Sequence, residues 1–250
     1  MALPLTGQSP RGLLRAEAAG GLAFLGAPVR VDVSCAFAVA LTTWTLADGI
    51  LPLAAEGRPA TAYWSAGALT ALVLLASIAA HEVAHCVAAR RAGIAVLGVT
   101  LGLFGGATSL DHAPRTLRAQ VGIALAGPLA SLAVAGGAAI AHVALVETGG
   151  DGLAVASTAV VALANLGVAA INLLPAAPLD GGLVLHALLA RLPGPPRDAA
   201  AVVARAGRAL GGVILGLAVL ASASGDAALG LWCAVVGLVI WEQASPAAWR

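Results

Sequence analysis

Hydrophobic positions in this chain neither alternate nor recur at helical spacing; they run together in long blocks broken by short polar clusters. The blocks fall at Val31–Ala54, Ala62–Ala89, Leu117–Val146, Leu153–Leu174, Ala199–Ala221 and Ala227–Trp241. About 20 apolar residues carry a helix across a hydrocarbon core of ~30 Å. The pattern therefore predicts an all-α membrane protein with about six transmembrane helices. Asp180–Leu192 predicts one more helix, too short to cross alone. The interval Ile94–Asp111 reads differently: Val96, Val99 and Thr100 precede Gly102, Gly105 and Gly106, a pattern for extended backbone. It is either a connecting loop or a hairpin that re-enters the membrane.

Composition agrees with the blocks. The chain is 60% hydrophobic and 10% charged, with a mean hydropathy of +0.96, outside the range of a soluble domain. A net charge of +1 says nothing about nucleic acid, but no basic patch interleaved by aromatics appears, so no nucleic-acid partner is expected and the lipid bilayer is the medium. Arginine supplies all 13 basic residues, and its distribution orients the spans. Arg11, Arg15 and Arg30 precede the first span. Arg90, Arg91, Arg115 and Arg118 separate the second from the third, and Arg191, Arg197, Arg205 and Arg208 cluster near the fifth. The opposite loops hold Arg58 with Glu56, Glu147, Asp151 and Asp226. Positive residues stay inside, so both termini are expected in the cytoplasm of a bacterial cell. The organisation expected is a cytoplasmic segment over 1–30, one intramembrane domain over 31–243 and a short tail over 244–250. No convincing cleavage site follows the apolar stretch Gly20–Ala27, and Leu192–Arg197 reads as a loop between spans. Cys35, Cys86 and Cys233 lie within spans and imply no disulfide framework.

Against this background the second block holds His81-Glu82-Val83-Ala84-His85. Ionisable groups at membrane depth are costly and mark function. Histidines at i and i+4 share a helix face and can reach one metal, while the intervening glutamate can take a proton from an activated water. The fourth block breaks at Asn172-Leu-Leu-Pro175-Ala-Ala-Pro178-Leu-Asp180-Gly-Gly. Two prolines so close cannot continue a helix, and broken backbone within a membrane survives only beside protein or a polar cavity. Asp180 is thus a reasonable third ligand for zinc, leaving one position open. By the arginine topology the second and fourth blocks both run inward, so His81, His85 and Asp180 arrive at similar depth near the cytoplasmic face. Cys86, His186 and His142 are the other candidates. Cys86 lies about 100° round the helix from His85; His186 sits nearly two turns beyond Asp180; His142 has the wrong depth.

These residues carry a resemblance. His81-Glu82-x-x-His85, Ala126-Gly127-Pro128 and Asn172-Leu-Leu-Pro-x-x-Pro-Leu-Asp180-Gly-Gly resemble, in order and spacing, the site-2 protease family of intramembrane zinc metalloproteases. The resemblance spans Pro28 to Glu242. It implies His81, His85 and Asp180 as Zn2+ ligands, Glu82 as catalytic base and Asn172 as a polar group near the scissile carbonyl. It also implies a transmembrane protein substrate, such as a membrane-tethered anti-sigma factor or pro-transcription factor. An extended Ile94–Asp111 would then pair with the unwound substrate strand. Relatives often continue into paired cystathionine-β-synthase-type modules and often carry Asn where this chain has Ser131, and Arg where it has Leu183 and His186. Regulation through such modules is not assumed, and no PDZ-like insertion separates the spans.

Structural readings of the same residues stand beside the functional ones. Asp180 could cap the short helix that follows it. Asn172 and Asn165 could hydrogen-bond between helices. Cys86 reads as a small buried apolar residue, and Gly127-Pro128 and Gly136-Gly137 as close-packing or kink sites. Two other functions are considered: an inactive membrane adaptor, which would be expected to have lost Glu82 or a ligand, and a cation transporter, which would repeat acidic sites at several depths. The chain does neither.

Overall fold

A computed structural model describes residues 23–24, 27–102, 105–192 and 198–244. The expected cytoplasmic segment before residue 23, Arg11, Arg15, Arg197, the 193–197 part of the interspan loop and the 245–250 tail lie outside the described residues.

Five helices are long and apolar enough to cross a membrane. They are α1 (Ser34–Ala54), α2 (Ala60–Arg91), α3 (Leu117–Glu147), α4 (Gly152–Asn172) and, later in the chain, α6 (Ala199–Ala223). Between α4 and α6 lies the short α5 (Asp180–Leu189), and after α6 comes α7 (Ala227–Gln243). The sixth expected span is therefore a 17-residue helix, about 25 Å long at 1.5 Å per residue and shorter than the other five. Polar residues fix the starts of several helices. Thr116, Asp151, Asp198 and Asp226 each accept a hydrogen bond from a backbone N–H of the first turn.

The first span starts at Ser34 rather than Val31 and is not uniform. Residues Thr45–Ile50 form a π-helical stretch before Leu51–Ala54 resumes as α-helix. The residues ahead of it are in a sheet. Strands β1 (Ala23–Phe24), β2 (Ala27–Val31), β3 (Val96–Gly102) and β4 (Gly105–Leu110) form one four-stranded sheet in that order. The fold is thus mostly helical with a small sheet, not all-α. The expected extended segment is the antiparallel pair β3–β4, with Val99 opposite Thr108 and Leu101 opposite Gly106. β2 joins β3 in parallel, Val29 opposite Val99. That pairing joins residues 70 apart and leaves no local pattern to read.

Helix α2 enters the sheet through a glycine. Gly93 adopts φ +78°, Gly93 N donates to Arg90 O and Ile94 N to Ala89 O. This left-handed cap ends the helix and brings Ile94 back onto Ala89. Ala89, Ile94, Val96, Val99 and Leu110 then pack with Cys86 and Ile123 in one buried cluster. The sheet is thereby fixed beneath the last turns of α2 and against α3.

Packing among the long helices uses small side chains. The buried residues of α6 are Ala199, Ala200, Val203, Ala204, Gly207, Gly211, Ala218 and Ala221. Leu53, Ile140, Val219 and Leu220 point outward. Large residues outside and small residues between helices are what a lipid solvent favours, since association there rests on close van der Waals contact.

Candidate metal centre

Histidines 81 and 85 lie in the last third of α2, on the face turned towards α3. Both are buried, as are Glu82 and Asp180. One ligand atom each from His81, His85 and Asp180 lies within 4.8 Å of the others. His81 Nε2 is 3.2 Å from Asp180 Oδ2, and His85 Nε2 is 3.4 Å from Asp180 Oδ1. Sequence reasoning from depth brings the same three together.

Asp180 reaches this place through a folded loop. α4 ends at Asn172, and Leu173–Leu179 turns back before α5 begins at Asp180. Ala177 N donates to Val203 O of α6, which ties the loop down. Three glycines make that possible. A Cβ at Gly181 would lie 2.3 Å from Leu173 O, at Gly182 2.5 Å from Ala176 O, and at Gly207 2.0 Å from Ala177 O. The Asp180 carboxylate accepts no capping bond from α5; it faces the histidines.

The outer nitrogens of both rings are already committed. His85 Nδ1 lies 2.7 Å from Ile123 O, a carbonyl that can only accept, so Nδ1 carries the proton. In a neutral ring the Nε2 lone pair then points at Asp180. His81 Nδ1 lies 2.9 Å from Ser131 Oγ, a hydroxyl that donates or accepts, so this contact orients the ring without fixing its proton. Two ring nitrogens and a carboxylate, all buried, converge on one point. A hydrogen bond from a ring N–H to the carboxylate, or a metal ion among the three, satisfies such a group. Ring orientation by a hydrogen bond on the far nitrogen is the usual support for a metal-binding histidine. The donor set, two imidazoles and one carboxylate, is one that suits zinc with a position left open.

Gly127 of α3 closes the other side. A Cβ there would sit 2.3 Å from His85 Nε2 and 2.4 Å from His81 Nε2. The glycine is not only a close-packing position between helices: its missing side chain is the space in front of the ligand atoms. Glu82, on the next position of α2, turns towards the sheet. Its Oε1 accepts from Gly106 N at 3.1 Å and its Oε2 from Thr108 Oγ1 at 3.2 Å. A Cβ at Gly106 would collide with Glu82 Cγ at 2.3 Å.

The remaining candidates make other contacts. Cys86 touches Thr108 Oγ1 at 3.5 Å and belongs to the buried apolar cluster. His142 Nδ1 pairs with Val155 O of α4, well away from the site. Asn165 and Asn172 donate within their own helix, to Val161 O and Val168 O. Asn172 has a second amide hydrogen still to give. Sequence reasoning did not single out Ser131, Ile123 and Thr108 as supports. Their signal is weak, because a serine, a backbone carbonyl and a threonine are common in any membrane helix or strand.

The family model for Peptidase family M50 matches residues 69–154 and 147–214, which together cover more than half of the chain. Rip3 of Mycobacterium tuberculosis, whose name describes a zinc metalloprotease, is 40% identical over 219 residues, 88% of this chain and 56% of that protein. The similarly named sll0528 of Synechocystis is 30% identical over 228 residues, 89% of this chain and 58% of that protein. This chain spans just over half the length of these relatives. The site-2 protease from Methanocaldococcus jannaschii has a similar fold, with a TM-score of 0.61 at 23% identity over 89% of this chain and 91% of that one. With the metal-type triad on α2 and α5 and the family match running through both, this chain belongs to Peptidase family M50.

Proposed function

We propose that this protein is an intramembrane zinc metalloprotease that cuts transmembrane helices of membrane-tethered regulatory proteins near the cytoplasmic face. One observation carries the reading: two buried imidazoles and a buried carboxylate converge within 4.8 Å, with Glu82 beside them, in a chain whose helices suit a bilayer. His81, His85 and Asp180 would hold the metal. When bound, zinc supplies Lewis acidity, making a water nucleophilic near neutral pH and polarising a carbonyl. Glu82 takes the proton of the attacking water, then gives it to the leaving amine as the C–N bond breaks. The free hydrogen of the Asn172 amide is the donor available to the carbonyl oxygen as it gains charge.

The substrate must be unwound, because helical peptide bonds are already hydrogen-bonded. β4 is an edge strand of the sheet and offers backbone for an extended segment to join. The rest of the reading puts both termini in the cytoplasm, takes α7 as a sixth, short span and lets the β3–β4 hairpin re-enter the membrane. Membrane-tethered anti-sigma factors and pro-transcription factors are the substrates in view, and the names of the zinc metalloprotease relatives support the chemistry.

Replacing Glu82 by Gln tests the assignment. With a labelled synthetic transmembrane peptide carrying helix-breaking residues near its cytoplasmic end, cleavage should fall by about 10²–10⁴-fold. Zinc content should stay at the native level. Cleavage by Glu82→Gln at the native rate would remove the protease site from this cluster.

A further inference from the structure

We propose that Thr108 is a positioning residue for the Glu82 carboxylate, so that β4 is part of the catalytic apparatus as well as a docking edge. The inference rests on the protease reading of the site. Along β4, residues two apart share a face, and Gly106, Thr108 and Leu110 all meet α2. Leu110 packs in the cluster with Cys86 and Ala89. Gly106 leaves the space that Glu82 fills, and Thr108 meets it with a hydroxyl.

The bonding pattern admits one arrangement. Thr108 has a single hydroxyl hydrogen and two neighbours, Glu82 Oε2 at 3.2 Å and Cys86 Sγ at 3.5 Å. An ionised carboxylate only accepts, and it accepts better than sulfur. The hydroxyl therefore donates to Glu82, and the Cys86 S–H donates to Thr108 Oγ1. Cys86 stands one helical turn beyond Glu82, so the chain Cys86–Thr108–Glu82 closes on one face of α2. Gly106 N holds Oε1 and Thr108 holds Oε2. Two bonds to different oxygens fix the plane of the carboxylate; one alone would let it swing. Thr108 is itself 2% exposed, and its branched side chain has few rotamers. It is a stiff support.

Thr108→Val keeps size and branching and removes only the hydroxyl. In the zinc-loaded full chain acting on the same labelled transmembrane peptide, kcat should fall by about 10–100-fold, the usual loss for a supporting partner. KM, zinc per chain and Tm should match the native protein. Thr108→Ser should recover most of the rate. A native kcat in Thr108→Val overturns the proposal. So does equal loss in the Val and Ser variants, or loss accompanied by a raised KM, a lowered Tm or missing zinc, each of which assigns Thr108 to packing. Glu82→Gln run in parallel separates the two readings. If it still cleaves, the protease site itself fails; if it is dead while Thr108→Val is fully active, only the role of Thr108 falls.

Discussion

Gly127 shows how much a single missing methyl group can decide. In the interior of a helix Gly→Ala ordinarily gains about 1 kcal/mol, and α3 gives no local reason to expect otherwise. Here the added Cβ would sit 2.3–2.4 Å from both Nε2 atoms. Gly127→Ala should therefore lose zinc and cleavage together, with the gain in helix propensity offset by the overpacking against the histidine rings. Normal zinc content in that variant would show that the ligand atoms do not meet where the structure puts them. At this scale the site was legible to different degrees. His81, Glu82, His85 and Asp180 stand out because charge is expensive among apolar neighbours. Gly127, with Pro128, reads as a packing or kink position, and Ser131 as one more small polar residue. What they do depends on the histidine rings across the interface, which no local pattern contains.

Elements position Asp180 from a distance. The carboxylate begins α5, but the loop ahead of it is held by α6, where Ala177 N meets Val203 O and Gly207 leaves room for Ala177 O. Gly207→Ala, a substitution that touches none of the ligands, should displace this loop and weaken zinc binding by about 10–100-fold in a chelator competition, the loss typical of disturbing a metal's supporting partners. Gly216→Ala makes the comparison, since nothing lies within 4 Å of the added atom on the same helix. It should leave zinc affinity unchanged. Equal affinities in the two variants would detach α6 from the site. Of the elements, the long helices were readable from hydropathy because length and apolarity are local properties. The hairpin was readable from its glycines and β-branched residues. The parallel addition of β2 to β3 was not, nor was the π-helical stretch Thr45–Ile50, since both depend on partners far along the chain.

For the whole molecule, charge and shape meet at the two ends of the bundle. Arg58 forms an ion pair with Asp151 across the loops that join α1 to α2 and α3 to α4; both side chains are about half exposed, so the pair adds little stability. At the other end Arg191 donates to Gln120 Oε1 and to Arg115 O, linking the end of α5 to the start of α3. The arginine bias predicts that the second end faces the cytoplasm. With Cys233 replaced by Ala, and Cys35 and Cys86 buried, Thr148→Cys should react with an impermeant thiol reagent on intact cells. His112→Cys should react only after the cells are opened. The reverse pattern would invert the orientation and move the scissile bond to the other face of the membrane. The small side chains between the helices also decide which mutations the protein can tolerate. A soluble core is damaged chiefly by truncation, because truncation leaves a cavity. The buried face of α6 has little left to truncate, and close approaches to backbone lie at Gly181, Gly182, Gly207 and Gly211. Its vulnerability is to growth: one carbon added inside forces helices apart, whereas large residues facing the lipid can be exchanged for one another at little cost.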